Sequence, residues 1–203
     1  MYKLYYMPGS CSLAVHALLN ELEQPVELIL AKEFEKFTDI SPRGTVPVLD
    51  DDGLILTEGA AIILHLVDKH SNQLLAVKGV ERAKSVKWLM FANATMHTAY
   101  GRLFFGLNNI ENKEQQLEFF HKCAASINLL WQDVDAQLAK TKFISGEQPS
   151  PADFLLTIFA NWGQYFPIEI NFGENVSRML KDISNRPSFQ TALEKEQVEY
   201  IAA

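Results

Sequence analysis

The apolar pattern of the chain changes character near residue 77. Before that point short β-prone runs alternate with stretches of helical period; after it the period is helical almost throughout. Leu4-Tyr5-Tyr6 reads as a first strand, Val26 to Leu30 as a second and Val46 to Leu49 as a third. Asp52-Gly53 predicts a hairpin turn, because glycine accepts the positive φ such turns need, and Leu54 to Leu56 is the returning strand. Ser12 to Leu22 reads as a helix that Gln24-Pro25 ends. Lys32 to Ile40 is polar with Phe34 and Phe37 interleaved, which predicts a short helix or an irregular loop. Thr57 is the expected N-cap of a helix running from Gly59 to about Lys69. The order β-α-β-(α)-β-β-α predicts a mixed sheet with helices on its faces.

Asn72 to Gly79 reads as a linker, which divides the chain into residues 1–77 and 78–203. Val86, Leu89, Met90, Asn93, Ala94 and His97 share a helical face that begins apolar and turns polar, the pattern of a helix lining a cleft. In isolation the favoured reading of His97 is a hydrogen-bonded core histidine. Lys113 to Leu138 is a long amphipathic helix with Cys123 on its apolar stripe, where a core thiol is expected. Ser150-Pro151-Ala152-Asp153 forms a capping box ahead of the apolar helix Phe154 to Trp162. Val176 to Ile183 is a further helix, and Asn185-Arg186-Pro187-Ser188-Phe189 starts the last one.

The 203 residues suffice for one large or two small domains, and the formal net charge of −7 argues against nucleic-acid or anionic-membrane binding driven by global charge. No apolar run approaches the roughly 20 residues of a membrane span. The first residues, Met1-Tyr2-Lys3-Leu4-Tyr5-Tyr6, lack a signal peptide's apolar core, and two cysteines make no disulfide framework, so the expected location is cytoplasmic. The five histidines show no metal-ligand spacing, so no metal is expected.

Candidate chemistry gathers in two stretches. Pro47, near the start of a strand, removes a ladder donor, which suits a sheet edge or a backbone with another task. Glu58 stands at the start of a helix beside free backbone N–H groups, so a peptide-binding edge would lie next to a fixed anion, an arrangement suited to an amino-acid-like ligand. Cys11 sits where a loop becomes a helix, a placement expected to lower a thiol's pKa. Ser12 offers a hydroxyl at the same helix start, read equally well as a simple N-cap. Tyr6 offers a phenol at the end of the first strand, read equally well as an amphipathic strand residue.

Thr45-Val46-Pro47-Val48-Leu49, the Asp-Gly turn and Leu56-Thr57-Glu58-Gly59-Ala60-Ala61-Ile62 resemble the glutathione-binding half of cytosolic glutathione transferases. Tyr6-x-Pro8-Gly9-Ser10-Cys11-Ser12-Leu13-Ala14 and Lys87-Trp88-Leu89 with Met96-His97 are similar to motifs of the bacterial beta class. The resemblance implies a thioredoxin-like domain over residues 1–77, an all-helical domain over 78–203 forming the electrophile pocket, and a cis bond at Val46-Pro47. It implies glutathione as co-substrate, a small hydrophobic electrophile, a role in detoxification and a homodimer. Val46 and Pro47 would align the cysteinyl backbone, Glu58 and Gly59 would hold the γ-glutamyl end, and Asn93 would contribute from the second domain. Lys32 would meet the glycine carboxylate, and Cys11, Ser12, Tyr6 or His97 would settle the sulfur. Ala14 stands where a Cys-x-x-Cys pair would need its second thiol, so dithiol exchange is not expected. Thr98 and Met90 depart from the polar residues common in that class, and the segment before Arg43 is compact. Two rival readings are a glutathione-dependent thiol-disulfide reductase acting through a mixed disulfide at Cys11, and a non-catalytic binding or regulatory protein on the same fold.

Overall fold

The computed structural model describes residues 1–202. Strands β1 (Tyr2–Tyr6), β2 (Val26–Leu30), β3 (Val48–Asp51) and β4 (Leu54–Thr57) form one sheet in the order β2-β1-β3-β4. β1 runs parallel to β2 and antiparallel to β3, with Tyr5 opposite Val48 and Leu4 opposite Leu49. The Asp52-Gly53 turn joins β3 to β4 antiparallel, with Asp51 opposite Leu54.

Alternation along β1 splits its side chains between two cores. Tyr2, Leu4 and Tyr6 enter the main core, whereas Tyr5 packs with Phe37 and Val48 on the other face. That second face is covered by α2 (Phe37–Ile40), a single turn that follows a 3₁₀ turn at Ala31–Glu33. The main face carries α1 (Ser12–Glu21) and α3 (Gly59–Lys69). Every residue of α1 from Ser12 to Leu19 is buried, because α7 and α9 pack on it from the second half of the chain.

Several boundaries shift by a few residues from the expectations, and two of the shifts bear on the site. The third strand starts at Val48 rather than Val46, since Pro47 has no N–H for the ladder. Thr57 is the last residue of β4, and the N-cap of α3 is Glu58, at φ +67° with no side-chain cap bond. The Val46-Pro47 bond is cis.

The rest is helical: α4 (Gly79–Met90), α5 (His97–Asn109), α6 (Lys113–Leu138), α7 (Pro151–Asn161), α8 (Glu174–Ser184) and α9 (Pro187–Glu196). Between α4 and α5 the backbone takes a π-helical turn over Phe91–Met96, and α7 runs on into a 3₁₀ turn at Trp162–Tyr165. Among the described residues no helix is long and apolar enough to cross a membrane. Cys123 is buried on α6, as its stripe predicts. The capping box forms: Asp153, fully buried, accepts from the Ser150 N–H at 2.8 Å and hydroxyl at 2.7 Å, and from the Ile144 N–H at 2.9 Å.

Candidate active site

The loop from Met7 to Cys11 turns the chain from β1 into α1. The Ser10 N–H bonds back to the Met7 carbonyl at 3.1 Å, and Gly9 takes φ +70°. Cys11 is the N-cap residue of α1 and is half-buried. Its Sγ lies 3.6 Å from the carbonyl oxygen of Val46, the residue before the cis proline, and donates to it. Thus the two stretches singled out in the sequence meet at one point.

The expectation of an acidified Cys11 is corrected by its surroundings. Burial pushes the thiol up to about 11; the backbone N–H groups of Cys11 and Ser12 pull it down by less, and the Glu58 carboxylate pushes it further up. The helix start is present, but desolvation outweighs it.

Ser12, read equally well as an open hydroxyl donor or as a simple N-cap, has its hydroxyl engaged within the loop, and the N-cap of α1 is Cys11. It is fully buried, 2.7 Å from the Ser10 hydroxyl; it donates to the Met7 carbonyl at 3.2 Å and accepts from the Met7 N–H at 3.3 Å. These bonds occupy the hydroxyl inside the loop. Tyr6 is buried in the main core, its phenol raised by desolvation and then by Glu196 and Glu33. Lys32 is exposed on its 3₁₀ turn, and among the described residues it makes no ion pair.

Glu58, Gly59, Pro47 and Asn93 are brought together. A methyl group placed on Gly59 would stand 3.7 Å from Pro47 Cγ and 3.8 Å from Asn93 Oδ1, so the helical half reaches the start of α3 through the π-turn. Such a turn shifts the face that a helix presents, and here it carries Asn93 and ends immediately before His97. Glu58 projects an exposed carboxylate that accepts from Arg43 Nη2 at 3.0 Å.

His97 opens α5 and stacks on Phe159, with ring centroids 5.2 Å apart, and packs against Trp162 at 5.3 Å with the rings tilted by 52°. Burial lowers its pKa, and Glu58 opposes that shift. A neutral imidazole offers one N–H donor near a carboxylate that also acts on Cys11.

A set of clamping residues was not foreseen. The Trp162 indole donates to the Gly9 carbonyl at 2.8 Å, and the Gly9 N–H donates to Glu196 Oε2 at 3.4 Å. Glu196 Oε1 lies 2.9 Å from His16 Nδ1, and both side chains are wholly buried. The helical half therefore holds both backbone groups of the residue two before Cys11. The one available signal is His16 itself, a polar residue in the otherwise apolar run Leu13 to Leu19. Among the described residues no cluster of three or more His, Cys, Asp or Glu could hold a metal ion.

Residues 4–74 match the family model for the glutathione S-transferase N-terminal domain. The chain is 30% identical to glutathione S-transferase GstA of Escherichia coli O157:H7, over 96% of this chain and 98% of that one. Among solved structures, the beta class glutathione S-transferase of Sphingomonas chungbukensis superposes with a TM-score of 0.84 at 26% identity, over 97% of this chain and 100% of that one. A sphingomonad glutathione S-transferase complexed with glutathione also gives 0.84, at 27% identity and the same coverage.

Proposed function

The chain belongs to the glutathione S-transferase family, close to its bacterial beta class, and on that premise we propose how its own residues bind and activate glutathione. The protein is a glutathione transferase with a thioredoxin-like first half and a helical second half. The observation that carries the reading is the 3.6 Å approach of Cys11 Sγ to the Val46 carbonyl, beside a helix headed by Glu58.

An extended tripeptide pairs its cysteinyl backbone with Val46, as a peptide pairs with a sheet edge. Glu58 takes the ammonium of the γ-glutamyl end, and the free N–H groups at the start of α3 face its carboxylate. Asn93 adds a contact from the helical half. The glutathione sulfur then lies between Cys11 and His97. The glutathione thiol releases its proton to solvent, neutral His97 donates a hydrogen bond that favours the resulting thiolate, and the thiolate attacks a small hydrophobic electrophile. Residues 1–77 serve as the glutathione domain and 78–203 supply the electrophile pocket, where Phe104, Trp162 and Tyr165 form an aromatic wall. The protein works as a cytoplasmic homodimer in detoxification.

Conjugation is favoured over thiol–disulfide exchange by the state of Cys11. The thiolate is the nucleophile in exchange, and a thiol pushed up to about 11 is ionised to only about one part in ten thousand at pH 7. Cys11 thus acts as a neutral hydrogen-bond donor to the glutathione sulfur. The test is calorimetric titration with reduced glutathione, a conjugation assay, and the intact mass after incubation. Binding with turnover and no adduct is expected; absence of binding sinks the reading, and a stable Cys11 adduct with reductase activity replaces it with the exchange mechanism.

A further inference from the structure

We propose that Arg43 is a binding residue for the α-carboxylate of the γ-glutamyl group, exchanging its contact with Glu58 for the ligand. The inference rests on the reading of this site as a glutathione site and adds a residue to it. Arg43 Nη2 stands 3.0 Å from Glu58 Oε1, with the two side chains 78% and 64% exposed. An ion pair so open to water stabilises a fold very little, so either partner can change hands at small cost.

The γ-glutamyl end of the ligand is a zwitterion, with ammonium and carboxylate on one carbon. Its complement is an acid and a base a few ångströms apart, open to solvent, which is what Arg43 and Glu58 form. Glu58 makes no bond to its own helix start, so its carboxylate is available for the ammonium. The planar guanidinium carries several N–H donors in a fork that fits a carboxylate, and Glu58 engages one edge of it.

Arg43 is also held in place. The buried Ser41 hydroxyl donates to the Thr45 carbonyl at 2.8 Å and accepts from the Thr45 N–H at 3.1 Å, while the Gly44 N–H bonds to the Ser41 carbonyl at 2.8 Å. These bonds close a turn around Arg43 and fix its backbone next to Val46. Lys32, the cation expected at the glycine end of the ligand, makes no ion pair, and among the described residues Arg43 is the cation paired with Glu58.

The experiment is a double cycle on the full-length protein at fixed ionic strength, read by calorimetry. Wild type, Arg43→Gln and Arg43→Lys are each titrated with glutathione and with 4-aminobutyryl-cysteinylglycine, in which hydrogen replaces the α-carboxylate. Arg43→Gln is expected to weaken glutathione about tenfold and the decarboxylated ligand less than about twofold, with Arg43→Lys in between, as loss of a charged, two-pronged contact requires. Equal weakening of both ligands, or of neither, overturns the role of Arg43 while leaving the site intact. No binding of glutathione by wild type overturns the site and this proposal together.

Discussion

The indole nitrogen of Trp162 lies 2.8 Å from the carbonyl oxygen of Gly9, which ties the helical half of the molecule to the loop that carries Cys11. The same indole packs at a tilt against His97, ring centroids 5.3 Å apart, so one side chain touches both the loop and the candidate proton donor. Trp162→Phe keeps an aromatic ring and deletes the donor, leaving a partly buried carbonyl unpaired. The expected stability loss is about 1–3 kcal/mol. The turnover term should fall by about tenfold while glutathione KM changes little, because the Val46 and Glu58 contacts are untouched. Steady-state kinetics with chemical denaturation check both; an unchanged turnover would show that the loop holds its position without the indole.

Cys11 should behave as a protonated thiol in the ligand-free protein. Alkylation by iodoacetamide is expected to be slow at pH 7 and to rise steadily toward pH 11, since only the thiolate reacts and burial pushes the group to about 11. Glu58→Gln removes a negative charge that raises this thiol, so its alkylation profile should move to lower pH. A plateau below pH 8 in wild type would contradict the dominance of burial at Cys11. Cys11→Ala should retain conjugation at a reduced rate and abolish any mixed disulfide.

His97 gives the site a pH dependence of defined sign. Its folded pKa lies below the unfolded value of about 6.5, chiefly through burial, so folding favours the neutral ring. The stability contributed by that ring is fully present above about pH 6.5 and is lost as pH falls toward the folded pKa. His97→Gln should therefore lose less thermal stability than wild type between pH 7 and pH 5. Comparison with wild type removes the contribution of His70, which burial lowers in the same direction. The variant should also lose about tenfold or more in kcat/KM at pH 7 if the ring donates to the thiolate. An unchanged acid limb would mean that the ring is already solvated.

Features written in short local patterns were legible in the sequence. The Asp52-Gly53 turn, the Glu58-Gly59 helix start, the long helix α6 and the capping box each depend on neighbours within a few residues, and each appears. Features that depend on partners far along the chain were not. The acidity of Cys11 was expected from its helix start, yet it is set by burial beside Val46, 35 residues away. The sequence leaves Ser12 open between a hydroxyl donor and an N-cap, because its partners Met7 and Ser10 bond to it only once the loop closes. The clamp on Gly9 needs Trp162 and Glu196, 153 and 187 residues distant, and neither carries a local sign of it. The π-turn that delivers Asn93 is a backbone insertion within an otherwise ordinary helical period, so no spacing announces it.

The buried capping box supplies a prediction on folding that is independent of the active site. Asp153 has no solvent exposure and accepts hydrogen bonds from Ser150 and Ile144, yet burial still pushes its carboxyl up to about 6. A raised folded pKa means that the native state binds this proton more tightly than the unfolded chain, whose value is about 3.9. The contribution is complete below about pH 3.9 and is lost as pH rises through about 6, amounting to about 3 kcal/mol for a shift of about two units. Asp153→Asn cannot ionise, and its amide places donors where one carboxylate oxygen accepted, so it should be less stable by about 1–3 kcal/mol at pH 5. Its stability should then change less than that of wild type between pH 4 and pH 7. Ser150→Ala keeps the backbone N–H bond and removes the hydroxyl, so it should cost about 0.5–2 kcal/mol. Urea unfolding at several pH values measures all three proteins. A difference between wild type and Asp153→Asn that grows with rising pH would assign Asp153 an ordinary low-pKa carboxylate and refute the dominance of burial.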